Sequence, residues 1–426
     1  MAAAAGAALA GAAGRAMGAA AEGASPASPA AGGKRPRTIL LRSSWQTVNI
    51  GDIGHTPGAL TLIERYLPDA EVILWPTSVG NGVDVMLMKR FPRLKIVTCR
   101  LDRDGKPLDD ATRDAFARAD LMVHGSGPSV VAAKHLAAWH KATGKPYGVY
   151  GVTVGTVTED LRDLLSGAAF VFCRDTVSLE VIKSKGVRSP VMEFAPDATF
   201  AIDLRDDARA AVYLKAAGLE DRRFICAIPR LRHTPYYRIR GTPPTAEDHR
   251  KEAEANRYKE VDHAKLREAI VTWVRKTGLK VLACPEMTYE MALAKEMLVD
   301  PLPDDVRRQV VWRETYWQPD EAASVYARAH TVVSIEMHSP IMAAAMGTPA
   351  FYVRTPTDTS KGQMWRDVGL KDWIFEIDDV RGEDIARTLL AVHADYPAAQ
   401  ATLAKAMEFV RRRQKETMGV VARTLG

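Results

Sequence analysis

The sequence has little of what marks several large classes of protein. Its four cysteines, Cys99, Cys173, Cys226 and Cys284, stand apart in apolar, strand-like stretches. We therefore expect four reduced core thiols rather than a disulfide framework. No apolar run is long enough to span a bilayer. No glycine-rich phosphate loop is present, and no group of His, Cys or carboxylate residues has metal-site spacing. These absences predict a protein without an integral membrane segment and without a bound metal.

The chain also has no strong excess of one charge. A net charge of +6 and a pI near 9.0 suit an anionic small ligand. The positive charge is too diffuse to predict binding to nucleic acid. With 426 residues, the chain is long enough for two domains of ordinary size.

The N-terminus lacks the residues that build a core. Residues 1–36 are mostly Ala, Gly, Ser and Pro, which predicts a disordered low-complexity tail or the remnant of an export signal. We expect a cytoplasmic protein. The alternative is export to the periplasm, if the alanine-rich segment is a truncated signal peptide.

From Thr38 onward, strand-like and helix-like segments alternate, which predicts an α/β fold with parallel sheets. A polar, alanine-rich helix near residues 204–223 divides this alternation. The predicted domains are therefore 37–205 and 206–395, with a C-terminal helix over 396–426 that packs back on the first domain. Two similar α/β domains that face one cleft suit a group-transfer enzyme.

Ligands of parallel sheets bind beyond the carboxyl ends of the strands, so the turns at these ends are the candidate sites. The first such turn contains Asn49, Gly51, Asp52 and His55, and ends at a helix predicted to start at Thr56. Asp52 could accept hydrogen bonds from sugar hydroxyls or act as a base. The alternative is a turn whose polar groups satisfy only the local backbone.

The second turn, residues 124–129, is rich in glycine. Its serine spacing excludes a G-x-S-x-G nucleophile elbow. Gly125 and Ser126 could line the site with backbone groups. Alternatively, the segment is only a tight turn before a helix capped by Ser129.

The third candidate, residues 230–240, contains four arginines. Arg230 and Arg232 are suited to bidentate recognition of a carboxylate or phosphate. The alternative is a solvated basic loop. The charged stretch 242–260 that follows would be a lid or an insertion that contacts an acceptor.

The fourth candidate, residues 332–349, is an apolar strand that leads directly into a small-residue helix. Ser339 is the predicted N-cap and Pro340 the first helical residue. The free N–H groups and the dipole of such a helix start favour an anion. His338 would lie at the mouth of this anion site, unless it is a buried structural histidine.

Several stretches together resemble the polysaccharide pyruvyl transferase family. They are Asn49-Ile50-Gly51-Asp52, His124-Gly125-Ser126-Gly127, residues 173–179, Lys185-Gly186-Val187, residues 195–200, and Val333-Ser334 through His338-Ser339-Pro340-Ile341 to Gly347-Thr348-Pro349. Their order and spacing cover most of the chain.

The resemblance implies two Rossmann-like domains in a glycosyltransferase-B-like arrangement, with the acceptor on the N-terminal side and the donor on the C-terminal side. We expect the acceptor to contact Asn49, Gly51, His55, Gly125 and Ser126. It also implies transfer of a pyruvyl group from phosphoenolpyruvate to two hydroxyls of a cell-surface glycan, with release of phosphate. His338 would be the catalytic acid/base, and Arg230 or Arg232 would bind the anionic donor. No cofactor other than this donor substrate is implied.

One residue departs from the family pattern. Glu336 stands two residues before His338, where the family usually has a donor-binding arginine. Each charge pair in such a pocket is worth on the order of several kcal/mol at about 4 Å. Three hypotheses follow. The first is a rearranged donor pocket in which Arg232, Arg238 or Arg354 replaces the missing arginine. The second is another glycan-modifying reaction that uses Glu336 and His338 as a catalytic pair. The third is a non-catalytic carbohydrate-binding protein.

Overall fold

The computed structural model describes residues 35–426. The predicted low-complexity tail or export-signal remnant over residues 1–36 lies almost wholly outside the described residues. Within residues 35–426, the chain forms two parallel β-sheets with helices between successive strands. The predicted α/β class is thus confirmed. No helix among the described residues is long and apolar enough to cross a membrane.

The first sheet has seven parallel strands in the order β3-β2-β1-β4-β5-β6-β7. Its inner strands are largely apolar because helices cover both faces of the sheet. That apolar continuity made the bounds of β4 and β6 predictable. The strands are β1 Thr38–Arg42, β2 Glu71–Trp75, β3 Lys95–Ile96, β4 Leu121–His124, β5 Tyr147–Val152, β6 Phe170–Cys173 and β7 Met192–Phe194.

The second sheet has six parallel strands in the order β10-β9-β8-β11-β12-β13. In both sheets the strand order reverses beside the first strand, and ligands bind at such a switch point in open α/β sheets. The strands are β8 Phe224–Ile228, β9 Lys280–Ala283, β10 Val310–Trp312, β11 Thr331–Ser334, β12 Ala350–Arg354 and β13 Ile374–Glu376.

Helices connect the strands and cover the faces of both sheets. Their bounds are α1 Ile50–Tyr66, α2 Val83–Arg90, α3 Asp110–Arg118, α4 Ala133–Thr143, α5 Glu159–Ser166, α6 Thr176–Ser184, α7 Asp207–Ala216, α8 Tyr236–Arg240, α9 Ala246–Thr277, α10 Glu290–Ala294, α11 Asp304–Arg307, α12 Pro319–Tyr326, α13 His338–Ala345, α14 Gln363–Asp367, α15 Gly382–Ala394 and α16 Tyr396–Leu425.

Helix α1 begins earlier than the sequence suggested. The side chain of Asn49 accepts hydrogen bonds from the backbone N–H of Gly51 (2.7 Å) and of Asp52 (3.2 Å), so it caps the helix. The predicted turn before Thr56 was therefore wrong. The geometry of a helix, and not that of a turn, therefore fixes the directions of the Asp52 and His55 side chains.

Two other helix starts also differ from the prediction. Helix α4 begins at Ala133 rather than after a Ser129 cap. Helix α13 begins at His338 and has Met337, which gives no side-chain cap, at its N-cap position. The predicted lid over residues 242–260 is largely the first half of the 32-residue helix α9, where Thr245 and Asp248 form a capping box.

The C-terminal helix α16 contacts elements of the first sheet. The hydroxyls of Tyr150 and Thr417 lie 3.0 Å apart, and Arg413 donates to Glu193 (2.8 Å) and to the carbonyl of Phe194 (2.7 Å). The domain limits at residues 205 and 395 stay predictions.

Candidate active site

A cavity of about 160 Å³ lies at the carboxyl ends of strands from both sheets. Asn49 and Asp52 reach it from the N-cap and first turn of α1, and Glu336 and His338 from the segment that leads from β11 into α13. A larger groove of about 500 Å³, at the outer edge of the first sheet, holds none of the predicted site residues. The remaining residues of the smaller cavity are Gln46, Pro128, Arg174, Arg230, Thr234, Tyr236, Met287, Thr357, Asp358, Thr359 and Lys361.

His338 is the first residue of α13 and is only 6% exposed. Burial, and to a smaller extent the neighbouring His55, lower its pKa to about 3. The imidazole is therefore neutral near pH 7. Its ring meets that of His55 edge to face, with the centroids 4.8 Å apart. Among the described residues, its Nε2 finds no hydrogen-bond partner.

Glu286, which the sequence analysis missed, lies beside His338. Its Oε2 accepts hydrogen bonds from the backbone N–H (2.6 Å) and the hydroxyl (2.8 Å) of Ser339. Its Oε1 lies 3.4 Å from Nδ1 of His338. Burial raises the pKa of Glu286, and the two donors from Ser339 oppose that rise. A protein carboxylate thus occupies the start of α13, where Ser339 was expected to bind the donor.

Gly51 contributes the absence of a side chain rather than a functional group. A Cβ atom at this position would lie 2.5 Å from Nδ1 of His338 and 2.6 Å from Oε1 of Glu286. The glycine lets α1 approach both side chains. The prediction that Gly51 contacts the acceptor is not tested by this geometry.

A buried network connects α1 to the first sheet behind His338. Nδ1 of His55 lies 3.0 Å from Oδ1 of Asp197, and Arg174 donates to Oδ2 of Asp197 at 2.7 Å. Burial opposes ionisation of Asp197, but His55 and Arg174 hold its pKa well below the usual value. Nε2 of His55 lies 3.8 Å from Asp52, whose pKa is raised by burial.

His55, Asp197 and His338 place possible metal-ligand atoms within 4.8 Å of one another. Both oxygens of Asp197 are already engaged, one by His55 and the other by Arg174. A metal ion there would also lie near the buried guanidinium of Arg174. These contacts fit a hydrogen-bonded network better than a metal site.

The other end of the cavity is rich in paired charges. Nε of Arg230 lies 3.0 Å from Glu336, and its Nη1 contacts Asp358. Nζ of Lys361 lies 3.1 Å from the same Asp358. Burial disfavours the charged form of Asp358, but Arg230 and Lys361 hold its pKa below the usual value. The hydroxyl of Tyr352 also donates to Asp358.

A family model described as polysaccharide pyruvyl transferase matches residues 49–356. The chain belongs to the polysaccharide pyruvyl transferase family. No curated protein matches the sequence.

Solved structures confirm the glycosyltransferase-B-like fold with Rossmann-like domains. The UDP-GlcNAc 2-epimerase from Neisseria meningitidis, bound to UDP-GlcNAc, is similar with a TM-score of 0.57 at 10% identity, over 91% of this chain and 100% of that chain. UGT71G1 from Medicago truncatula, complexed with UDP-glucose, has a TM-score of 0.53 at 9% identity, over 92% and 98% of the two chains.

Two arginines expected to bind the donor of a pyruvyl transferase lie outside the cavity. Arg232 forms a two-pronged pair with Asp262, each contact 2.8 Å long, and also contacts Asp378. Arg354 pairs with Glu376 at 2.9 Å. Carboxylates of the protein thus pair with the two guanidinium groups that were expected to bind the donor. Lys361 and Arg174, which the sequence analysis did not select, are the cations that join Arg230 in the cavity.

Gly125 and Ser126 also lie outside the cavity lining. The Ser126 hydroxyl accepts from the backbone N–H of Ala198 at 3.0 Å. A Cβ at Gly125 would lie 2.9 Å from the hydroxyl of Ser43. Both residues pack the turn after β4, and their predicted contact with the acceptor has no support in these distances.

Proposed function

We propose that the protein transfers a pyruvyl group from phosphoenolpyruvate to two hydroxyls of a glycan. The observation that carries the proposal is the cavity in which a neutral His338, whose Nε2 has no hydrogen-bond partner among residues 35–426, is combined with the cations Arg230, Lys361 and Arg174. The carboxylate and phosphate of the donor need cations, and the acceptor hydroxyls need a base. No cofactor beyond the donor is required.

In this reaction, the first hydroxyl gives its proton to Nε2 of His338, and the imidazolium passes a proton to C3 of the donor. The electron pair of the C2–C3 double bond forms the new C3–H bond, so C3 becomes a methyl group, C2 becomes electrophilic, and the oxygen of the first hydroxyl bonds to C2. Phosphate leaves C2 with the bonding electron pair. The second hydroxyl attacks C2 and its proton leaves with phosphate, so the products are a cyclic ketal and inorganic phosphate.

Asp52 and Asn49 are the acceptor-side candidates that reach the cavity. Asp52 would accept a hydrogen bond from a sugar hydroxyl. Asp52 lies beside His55 and interacts electrostatically with His338, which supports a hydroxyl held there near the proposed base. The identity of the sugar would depend on contacts beyond these two residues.

Replacing Lys361 is expected to weaken donor binding. Lys361→Met removes a cation that reaches the cavity, and hydrogen bonds to charged groups contribute about 1.5–3 kcal/mol, so the donor KM should rise by about 10- to 100-fold. Arg354→Met, at the position that the sequence suggested, should change it little. A rise in KM for Arg354→Met but not for Lys361→Met would indicate that Arg354, and not Lys361, binds the donor.

Donor binding is expected to weaken as the pH rises. Burial raises the pKa of Glu336, with Glu286 and Asp358 adding to the rise while Arg230 and Lys361 oppose it. Below this raised pKa, a neutral Glu336 leaves the cations available to the donor. Above it, a carboxylate competes with the donor for Arg230.

Glu336→Gln is the variant that checks this pH dependence. It should bind phosphoenolpyruvate more tightly than the wild type at basic pH, and its donor KM should change less with pH. The donor phosphate also titrates near pH 6, but equally in both proteins. An identical pH dependence in the two proteins would contradict the proposed role of Glu336.

A second candidate function has one observation in its favour. Arg230 is already engaged by both Glu336 and Asp358, so its charge is largely neutralised before a donor binds. The cavity could then perform another glycan-modifying reaction with Glu336 and His338 as the catalytic pair. In that case Glu336→Gln would abolish activity on the true substrate, whereas pyruvyl transfer would tolerate the change.

The direct test is incubation with phosphoenolpyruvate and a panel of glycans. We expect phosphate release together with a glycan mass increase that matches a pyruvyl ketal, and loss of both in His338→Ala. No release, and no donor-induced rise in melting temperature, would contradict the proposal. Glycan binding without turnover, and unchanged in His338→Ala, would favour a carbohydrate-binding protein.

A further inference from the structure

We infer that Glu286 is the positioning residue of His338, and that it holds the ring proton on Nδ1 so that Nε2 is left as the base. The inference deepens the proposed function and rests on it for its catalytic consequence. Its structural part, the tautomer of His338, can be measured without any turnover.

The carboxylate of Glu286 is held rigidly. The backbone N–H and the hydroxyl of Ser339 both donate to Oε2, and the hydroxyl of Tyr326 lies 3.1 Å from that of Ser339. The backbone N–H of Glu286 donates to Glu290 at 2.7 Å, and its carbonyl accepts from Ile50 at 3.0 Å. Helix α1, helix α13 and the segment after β9 therefore fix one side chain.

The second oxygen of Glu286 is left for His338. Oε1 has no hydrogen-bond partner within the described range, yet it is fully buried and lies 3.4 Å from Nδ1. A buried carboxylate oxygen without a donor is costly. A proton on Nδ1 removes this cost, because Nδ1–H can donate a hydrogen bond to Oε1 after a small decrease in the 3.4 Å distance between the two atoms.

Charged and titratable groups face His338 from several elements. They are Asp52 and His55 on α1, Arg174 after β6, Asp197 after β7, Glu286 after β9, Glu336 after β11 and Lys361 after β12. Among the described residues, Glu286 is the carboxylate within ion-pair distance of a ring nitrogen of His338. It is thus the group placed to select the tautomer.

The selected tautomer matters for the proposed reaction. A neutral imidazole carries one ring proton, and the partner of one nitrogen decides the state of the other. With the proton on Nδ1, the lone pair of Nε2 can accept the proton of an acceptor hydroxyl. When Nε2 becomes protonated, the nearby carboxylate stabilises the imidazolium, which then protonates C3 of the donor.

Glu286→Gln is the informative variant because it preserves shape and removes charge. The two donors of Ser339 should hold the amide oxygen, which turns the amide NH₂ toward Nδ1. Nδ1 must then accept a hydrogen bond from this amide, so the ring proton moves to Nε2, which can no longer act as the base. The expected kinetic result is a fall in kcat of at least about 100-fold with a nearly unchanged donor KM.

The tautomer is read by ¹⁵N NMR of histidine-labelled protein. The chain has ten histidines, and a His338→Gln sample identifies the signals of His338. We expect Nδ1–H in the wild type and Nε2–H in Glu286→Gln. Glu290→Gln, which alters a neighbouring buried acid without direct contact to His338, should keep the wild-type tautomer.

The wild-type spectrum alone can overturn the inference, even if Glu286→Gln does not fold. An Nε2–H tautomer in the wild type, or the same tautomer in a folded Glu286→Gln, contradicts it. A tautomer change in a protein that never releases phosphate from phosphoenolpyruvate supports the positioning role and contradicts pyruvyl transfer. Phosphate release with an unchanged kcat in Glu286→Gln supports pyruvyl transfer and contradicts the positioning role.

Discussion

Gly51→Ala is expected to lower kcat/KM by about 100-fold or more, while the protein still folds. The added methyl group would lie 2.5 Å from Nδ1 of His338 and 2.6 Å from Oε1 of Glu286, and both distances are far below van der Waals contact. The two side chains must therefore move apart. Misplacement of a catalytic group by about 1 Å can cost about 100-fold in rate.

Gly54→Ala is the matched control for Gly51→Ala because it lies one turn further along α1. Its Cβ would lie 3.1 Å from a methyl group of Thr199, which a small shift can accommodate. Alanine also favours the helix by about 1 kcal/mol relative to glycine. Steady-state kinetics and thermal unfolding should separate the two variants. An active Gly51→Ala would mean that the close approach of α1 to His338 is not needed for turnover.

The sheets could be predicted from the sequence because their signals are local. Strands such as Phe224–Ile228 are continuous apolar runs, and a parallel strand buried on both faces has that pattern. The start of α1 was harder to predict. Thr56-Pro57 is a good local start signal, but Asn49 caps the helix seven residues earlier.

The position of His338 at the site was predictable for the same local reason, since it follows a buried strand and begins a helix. The partner at the start of that helix was not predictable. Glu286 is 53 residues away in the chain from Ser339. The only sequence feature that could have indicated Glu286 is its position shortly after β9, because residues that follow the strands of parallel sheets line the ligand site.

Arginine density was a misleading signal for the donor site. The run from Arg230 to Arg240 looked like one anion-binding loop. The folded chain separates these arginines, because Asp262 and Asp378 neutralise Arg232, and Arg230 is the one of the four that lines the cavity. Each neutralising residue lies 30 or more positions away. A count of local charges cannot anticipate such partners.

Distant partners also change the expected effect of Glu336 on donor binding. In isolation, a carboxylate at the usual arginine position argued against an anionic donor. In the folded protein it is one member of a buried cluster with Arg230, Asp358 and Lys361. The charge of this cluster depends on the protonation of Glu336, so we expect the affinity for the proposed donor to depend on pH instead of being abolished.

Asp197→Ala is expected to lower the free energy of unfolding by about 3–5 kcal/mol. The variant leaves the guanidinium of Arg174, 1% exposed, without its carboxylate, and removal of one partner of a buried ion pair costs about that much. It also removes the acceptor of His55 and of the backbone N–H of Thr199. Urea unfolding near neutral pH measures the loss.

Asp203→Ala is the control, because Asp203 pairs with Arg90 at a site where both side chains are more than 30% exposed. Its cost should stay within about 1 kcal/mol. The pH dependence gives a second check on Asp197. Its pKa in the folded protein is far below the unfolded value of about 3.9, so its contribution is complete above that value and is lost as the pH falls below it. The difference between the wild type and Asp197→Ala should therefore shrink on the acid side. A difference that stays constant down to the acid transition would mean that Asp197 has the same pKa in the folded and the unfolded protein, and that the Arg174–Asp197–His55 network does not stabilise the protein through charge.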